Sequence, residues 1–367
     1  MIISITNPIY QTWIFSLIFF SALVLTIRPR KITEWLPLES TMELKGLAII
    51  VIVISHIGYF LVSDTRFLWP LSIMAGVGVN LFLFLSGFGL AASQMKKSLS
   101  IMEFYKRRLF KLFIPLWLLL LVILPLDIFF LKLNYSWEYL WQLFLGLTFR
   151  ADLYRDFNSP LWYLTFIIPY YVLFPLVFLK KQPWLSAFIL AGLGYLLVYL
   201  NPNFLSNVMH LYKIHILAFP LGILTAYSFA KLPSAEILEK WSHRYRSILY
   251  YSLLAAAFGL FIYSNINSGI GESYQKEQLM SMIAVAAILI VFILKKISFK
   301  FFYIFGIYSY EVYLWHWPLM YRYDIFYCWL PAWLATVLYF ALFIGLGWAT
   351  NKVINLTNFF KKAIIIK

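Results

Sequence analysis

Lys45 and His56 are the first residues whose types and spacing suggest chemistry. They bracket a run that is otherwise almost wholly apolar, Leu-Lys-Gly-Leu-Ala-Ile-Ile-Val-Ile-Val-Ile-Ser-His over 44–56. At 3.6 residues per turn, eleven residues bring the two back to one helix face, about 16 Å apart along the axis. A neutral imidazole accepts a proton from a hydroxyl near neutral pH, as a general base must. A cation near one entrance and an imidazole deeper on the same face suit a tunnel through a bundle. The same pair also fits a plainer role: a lysine that snorkels to the interface and a histidine bonded to a neighbouring helix.

Three further stretches carry polar groups in apolar surroundings. Near the C-terminus, 308–318 reads Tyr-Ser-Tyr-Glu-Val-Tyr-Leu-Trp-His-Trp-Pro. Ser309, Tyr313 and His316 share a helix face, while Glu311 lies well round from it. A carboxylate in a span has to be paired or protonated. Trp315 and Trp317 read as interfacial anchors. In 76–89, Gly76, Asn80 and Gly87 recur at helical spacing, which suits close helix packing; the Asn80 amide needs a partner. Asn80, Ser86, His316 and Glu311 are the candidates for an oxyanion or acceptor site. In 104–115, Lys106, Arg107, Arg108 and Lys111 cluster beside a span. Such cations set topology and attract anionic lipid, and arginine also grips phosphate through bidentate contacts.

The elements that position these residues follow from composition. The chain has 367 residues, 63% hydrophobic and 12% charged, about half the charged fraction of a soluble domain. Runs of ~20 apolar residues give eleven spans near 10–27, 44–62, 71–93, 112–131, 160–179, 184–200, 214–230, 247–265, 278–294, 301–320 and 329–350. The stretch 137–149 is too short to cross, and Trp137, Tyr139 and Trp141 suit headgroup depth. The expected fold is all-α, a polytopic helical bundle.

The loops support this count, because the basic residues divide roughly three to one between the two sets of alternate loops, as the positive-inside rule requires. The N-terminus is expected outside and the C-terminus in the cytoplasm. The +15 net charge is thus accounted for by topology and does not call for a nucleic-acid partner. Met1 to Tyr10 carries no basic residue, so the first apolar segment reads as a retained span rather than a signal peptide. The single cysteine, Cys328, excludes an intramolecular disulfide. No helix-borne histidine pair or phosphate-binding glycine loop appears, and no metal site is expected.

Taken in order, these stretches resemble the membrane-bound acyltransferase-3 family. The resemblance rests on Lys45 and His56 in 44–56, on 78–88, on 104–115, on Ser309–Pro318, and on Pro160-Leu-Trp-Tyr-Leu opening the fifth span. It covers about 40–350 and implies ten family spans, with 1–30 an added N-terminal helix and 351–367 a basic cytoplasmic tail. It further implies transfer of acetyl from cytoplasmic acetyl-CoA, a co-substrate rather than a resident cofactor. The acceptor would be a sugar hydroxyl at the outer face of a bacterial inner membrane. Carried over by position, His56 resembles the catalytic histidine and Lys45 the basic residue of its motif, where many members have arginine. Arg107, Arg108 and Lys111 resemble donor-side cations. His210 and His215, with Lys213 between them, are either solvated or line a glycan site, and Asp152, Arg155 and Asp156 lie where a sugar could be held. His243 reads as surface. Polar groups in spans equally suit a transporter or flippase for a lipid-linked sugar; internal repeats typical of many transporters are not evident.

Overall fold

A chain surrounded by lipid must satisfy its backbone hydrogen bonds internally, and helices do this within one segment. The computed structural model follows that rule. It describes residues 3–149, 159–239, 244–267 and 273–365; Asp152, Arg155, Asp156 and His243 lie outside them. The first helices are α1 (Pro8–Leu25), α2 (Leu38–Ser55), α3 (Ala75–Lys96), α4 (Ile101–Phe129) and α5 (Trp137–Phe144). They are followed by α6 (Trp162–Val177), α7 (Pro183–Leu200), α8 (Met209–His215), α9 (Ala218–Lys231) and α10 (Glu236–Glu239). The last are α11 (Arg244–Ile266), α12 (Tyr274–Leu294), α13 (Lys300–Ile307), α14 (Ser309–Pro318) and α15 (Ala332–Ile365).

Local sequence explains several of the ends. Pro8 opens α1, where its missing N–H is no loss. The Ser100 and Ser273 hydroxyls cap α4 and α12 by accepting from the Glu103 and Lys276 amides. Asn201 ends α7 in the left-handed region. The short α5 does not cross, as expected from its length.

Among the described residues, ten helical segments are long and apolar enough to cross a membrane. The stretch 301–320, expected as the continuous tenth of eleven spans, is instead broken at Tyr308 into α13 and α14, of 8 and 10 residues, and continues as a π-helical turn, Leu319–Tyr323. Gly347 of α15 leaves the space into which the Tyr308 side chain packs. The broken segment still runs through the bundle parallel to α2. Glu43 faces Lys295 and the Phe299 amide at one end, and His56 faces His316 at the other. The α3, α8–α9 and α12 segments are parallel in turn, since Asn80 near the start of α3 bonds both His215 and Ser281. These directions are those of eleven alternating crossings.

Small residues bring the central helices into backbone contact. Gly46 of α2 packs on the Phe302 carbonyl and Gly306 of α13 on that of Met42. Gly87 of α3 and Gly222 of α9 pack reciprocally on the carbonyls of Phe219 and Phe84. At the end of the bundle near Glu43, β1 (Ile27–Pro29) pairs antiparallel with β2 (Ile297–Phe299). The buried pair Glu43–Lys295 lies just beneath that clasp. At the opposite end, Asp127 of α4, fully buried, holds Arg322 together with the Tyr135 and Tyr323 hydroxyls. In the loop there, the Arg66 guanidinium bonds Asp64 and holds its carboxyl down at about 2.

Candidate functional site

Between the central helices lies one cavity of ≈ 980 Å³, at the upper end of the range for small-molecule and cofactor sites. Lys45 and His56 both line it, so the shared face read from their spacing is the face that forms the wall.

His56 is the first residue of a π-helical turn, His56–Leu61, that continues α2; such turns recur at functional sites. Its ring lies nearly coplanar with that of His316, 7° apart, with Nδ1 of His56 2.7 Å from Nε2 of His316. Nδ1 of His316 is in turn 2.7 Å from the Tyr313 carbonyl oxygen. A carbonyl only accepts, which assigns the hydrogens along the chain. With both rings neutral, His316 donates through Nδ1 and accepts at Nε2, so His56 must donate through its own Nδ1. His56 Nε2 is then a free lone pair on a residue that lines the cavity. His316 is fully buried and reaches the cavity through His56. The pair therefore has the form of an orienter and a base, with a backbone carbonyl in the place a carboxylate often takes.

At the other end of the cavity stand Lys45, Lys106 and Lys111. Arg108 and Lys111 are the cations that face Lys45. Arg107 is turned outward, 61% exposed and paired with Glu103 at 2.5 Å. Lys106 thus stands on the wall where the family carry-over named Arg107; helix rotation relative to the bundle decides this, and the sequence does not state it.

Between the two ends the wall is largely apolar and aromatic and carries a few polar groups. Glu311 accepts from Asn351 Nδ2 at 2.8 Å, and Ser309 and Tyr310 stand beside it on the wall. Asn351 belongs to α15, which runs on to Ile365, so the stretch read as a tail from 351 begins as helix and contributes to the site. The Tyr313 hydroxyl donates to the Pro160 carbonyl, tying the Pro-Leu-Trp-Tyr-Leu stretch to α14 and setting Trp162 and Tyr163 on the wall.

Several expected placements differ. Asn80 is fully buried, its amide shared between His215 Nδ1 at 2.8 Å and Ser281 Oγ at 2.9 Å, and it does not reach the cavity. Ser86 does line it and accepts from Tyr171 at 3.3 Å. However, α3 packs antiparallel on α2 with Gly78 against Ala48 and Ile52, so Ser86 lies about 12 Å further along, toward the Lys45 end. Neither is positioned to bond an oxyanion beside His56. Trp315 and Trp317 are buried rather than interfacial: Trp315 donates to Thr350 Oγ1 at 3.2 Å, and Trp317 packs edge-on against His56. Their helix is central, a fact that hydropathy cannot reveal. His215 lines the cavity and His210 does not. Glu277 of α12 was not singled out from sequence and also lines it; a single carboxylate at the start of an apolar run resembles ordinary helix-end polarity.

A polytopic helical bundle whose interior joins an oriented imidazole to a group of cations is built for chemistry within the membrane. A family model described as an acyltransferase domain matches residues 44–352. The chain belongs to this acyltransferase-3 family and is a multi-pass membrane acyltransferase. The match begins after α1. No curated protein and no solved structure matches the chain.

Proposed function

We propose that the protein transfers acetyl from cytoplasmic acetyl-CoA to a hydroxyl of a cell-surface or lipid-linked glycan at the bacterial inner membrane. Lipopolysaccharide O-antigen and exopolysaccharide are acceptors of this kind. The observation that carries the reading is a single cavity walled by the His56 base at one end and by Lys45, Lys106 and Lys111 at the other. An extended pantetheine arm of about thirteen bonds spans ~16 Å, and Lys45 and His56 are separated by about 16 Å along their helix. Pyrophosphate held by the lysines therefore leaves the thioester beside the imidazole. Arg108, next to Lys45, adds to the positive field at that end.

In the reaction, the acceptor oxygen attacks the thioester carbonyl as His56 Nε2 takes its proton. Collapse of the tetrahedral intermediate breaks the C–S bond, and the leaving CoA thiolate takes the proton back from His56 Nε2, which restores the neutral imidazole. His316 and the Tyr313 carbonyl keep Nδ1 of His56 protonated, so that Nε2 is the basic nitrogen. Glu311, Ser309 and Asn351 suit the amides of the arm, offering acceptors and donors midway along it.

The test is O-acetyl content of surface polysaccharide, by NMR, in cells with wild type or His56→Ala at matched levels, alongside CoA release by the purified proteins. Loss of both signals in the variant is expected. Full acetylation with His56→Ala would remove the histidine from the mechanism. Absence of acetyl-CoA turnover by wild type would return the transporter reading.

A further inference from the structure

A second histidine of the cavity is held in a defined tautomer by a chain of bonds that the reaction above does not use. Ser281 Oγ donates to the Gln278 carbonyl at 3.1 Å. With its hydrogen so committed, the hydroxyl accepts from Asn80 Nδ2 at 2.9 Å. Asn80 therefore presents Oδ1 to His215 Nδ1 at 2.8 Å, and this nitrogen must be the one that carries hydrogen. His215 Nε2 is left as an acceptor, with no hydrogen bond among the described residues. The side chain is 3% exposed and lines the cavity. One face of its ring stacks on Trp162, centroids 5.6 Å apart at 21°. Gly76, which has no side chain to cover it, adjoins the ring at Cε1.

A buried acceptor costs about as much as a lost hydrogen bond if nothing pairs with it, and three residues on two helices act to keep Nε2 in that state. The ring sits in the same half of the cavity as His56: Gly76, beside it, precedes Ser86 on α3 by about 15 Å, nearly three turns, and so lies toward the His56 end of the bundle. We infer that His215 is a positioning and specificity-determining residue, whose Nε2 accepts a hydrogen bond from a second hydroxyl of the sugar that presents its first to His56. The acceptor is thus a polyol packed against Trp162, oriented by two imidazoles of which one is the base. This rests on the proposed glycan acceptor and adds to it the rule by which one hydroxyl is chosen.

The experiment uses purified full-length protein, acetyl-CoA, and methyl hexopyranosides with their monodeoxy analogues as probes. Each variant is compared with itself, as the ratio of kcat/KM for a parent glycoside to that for each analogue. Wild type is expected to reject one analogue that keeps the acetylated hydroxyl, by roughly three- to tenfold for a single lost hydrogen bond. In His215→Leu that ratio falls to unity, and in His215→Gln, whose amide reaches the Nε2 position, it is partly restored. An unchanged ratio in both variants overturns the inference. Loss of all CoA release in both makes His215 structural and overturns it too. If no glycoside stimulates CoA release by wild type although acetyl-CoA is hydrolysed, the glycan acceptor itself falls, and His215 has nothing to hold.

Discussion

Nδ1 of His56 and Nε2 of His316, 260 residues apart in the chain, meet at 2.7 Å because the α13–α14 segment runs parallel to α2, with the α13 backbone drawn against α2 at Gly46 and Gly306. The contact converts two separate histidines into one directional chain that ends on the Tyr313 carbonyl. Its consequences can be measured.

His56→Ala is expected to lower kcat by about 10²–10⁴-fold, the usual worth of a positioned general base. His316→Ala, which leaves His56 free to turn or take the other tautomer, is expected to lower kcat with little change in either KM. His316→Gln, which can still accept from His56 Nδ1, recovers part of the loss. Steady-state kinetics of the purified variants decide this; a His316→Ala effect confined to KM for the donor would contradict the orienting role.

The lysine end should behave differently. Lys45→Met and Lys111→Met each remove a charge that faces the proposed pyrophosphate site, and a charge-assisted contact contributes about 1.5–3 kcal/mol. KM for acetyl-CoA is expected to rise by roughly ten- to a hundredfold with kcat changed far less. Lys45→Arg keeps the charge and should keep most of the affinity. Arg107→Met is the control, since Arg107 is paired with Glu103 on the outer surface and should alter KM little.

The glycine contacts separate packing from composition. Gly306→Ala and Gly222→Ala each drive a methyl into a facing backbone carbonyl, of Met42 and of Phe84, and overpacking of this kind costs typically ~1–3 kcal/mol or more. Gly89 has nothing within 4 Å of where its Cβ would be, so Gly89→Ala should be neutral or slightly stabilising through helix propensity. Thermal unfolding in detergent by tryptophan fluorescence tests all three, and a destabilised Gly89→Ala with an unaffected Gly306→Ala would refute the packing.

Cys328 offers a probe of both local chemistry and orientation. It is exposed, and its thiol donates to Asp324 Oδ2 at 2.9 Å, a bond that raises its pKa above the ordinary thiol value. The thiolate is the reactive form, so alkylation should be slow at pH 7 and quicken as pH rises. Asp324→Asn keeps an oxygen for the Tyr327 amide but removes the negative charge that raises the thiol pKa, and should speed the reaction at pH 7. Cys328 follows the end of the bundle at which Ile3 bridges Val62. With the N-terminus outside, an impermeant maleimide should label it in intact cells; labelling only after lysis would invert the orientation.

Some of this was legible in the chain and some was not, and the division is physical. Lys45 and His56 belong to one helix, whose pitch is a local property, so their common face could be read directly, and so could the apolar segments and the charge bias of their loops. Whether Arg107 or Lys106 meets the cavity depends on how α4 is rotated against its neighbours, and the side chains that settle it lie on other helices. The same holds for Asn80, which the pattern marked as needing a partner and the fold supplied with two. Trp315 and Trp317 have the composition of interfacial anchors, yet a helix at the centre of a bundle buries them, and the break at Tyr308 is invisible to a hydropathy window.

By itself, the sequence determined that the chain crosses a membrane many times, which family it resembles, and which histidine and lysine share one face of a span. Those properties follow from hydrophobicity and helical period, which act within about twenty residues. Only the tertiary structure decided that His316 orients His56, that Asn80 orients His215, and that Lys106 rather than Arg107 lines the cavity. Each of these depends on a hydrogen bond or a rotation between helices distant in sequence, and in the two histidine chains the direction is set by an acceptor-only carbonyl, of Tyr313 and of Gln278.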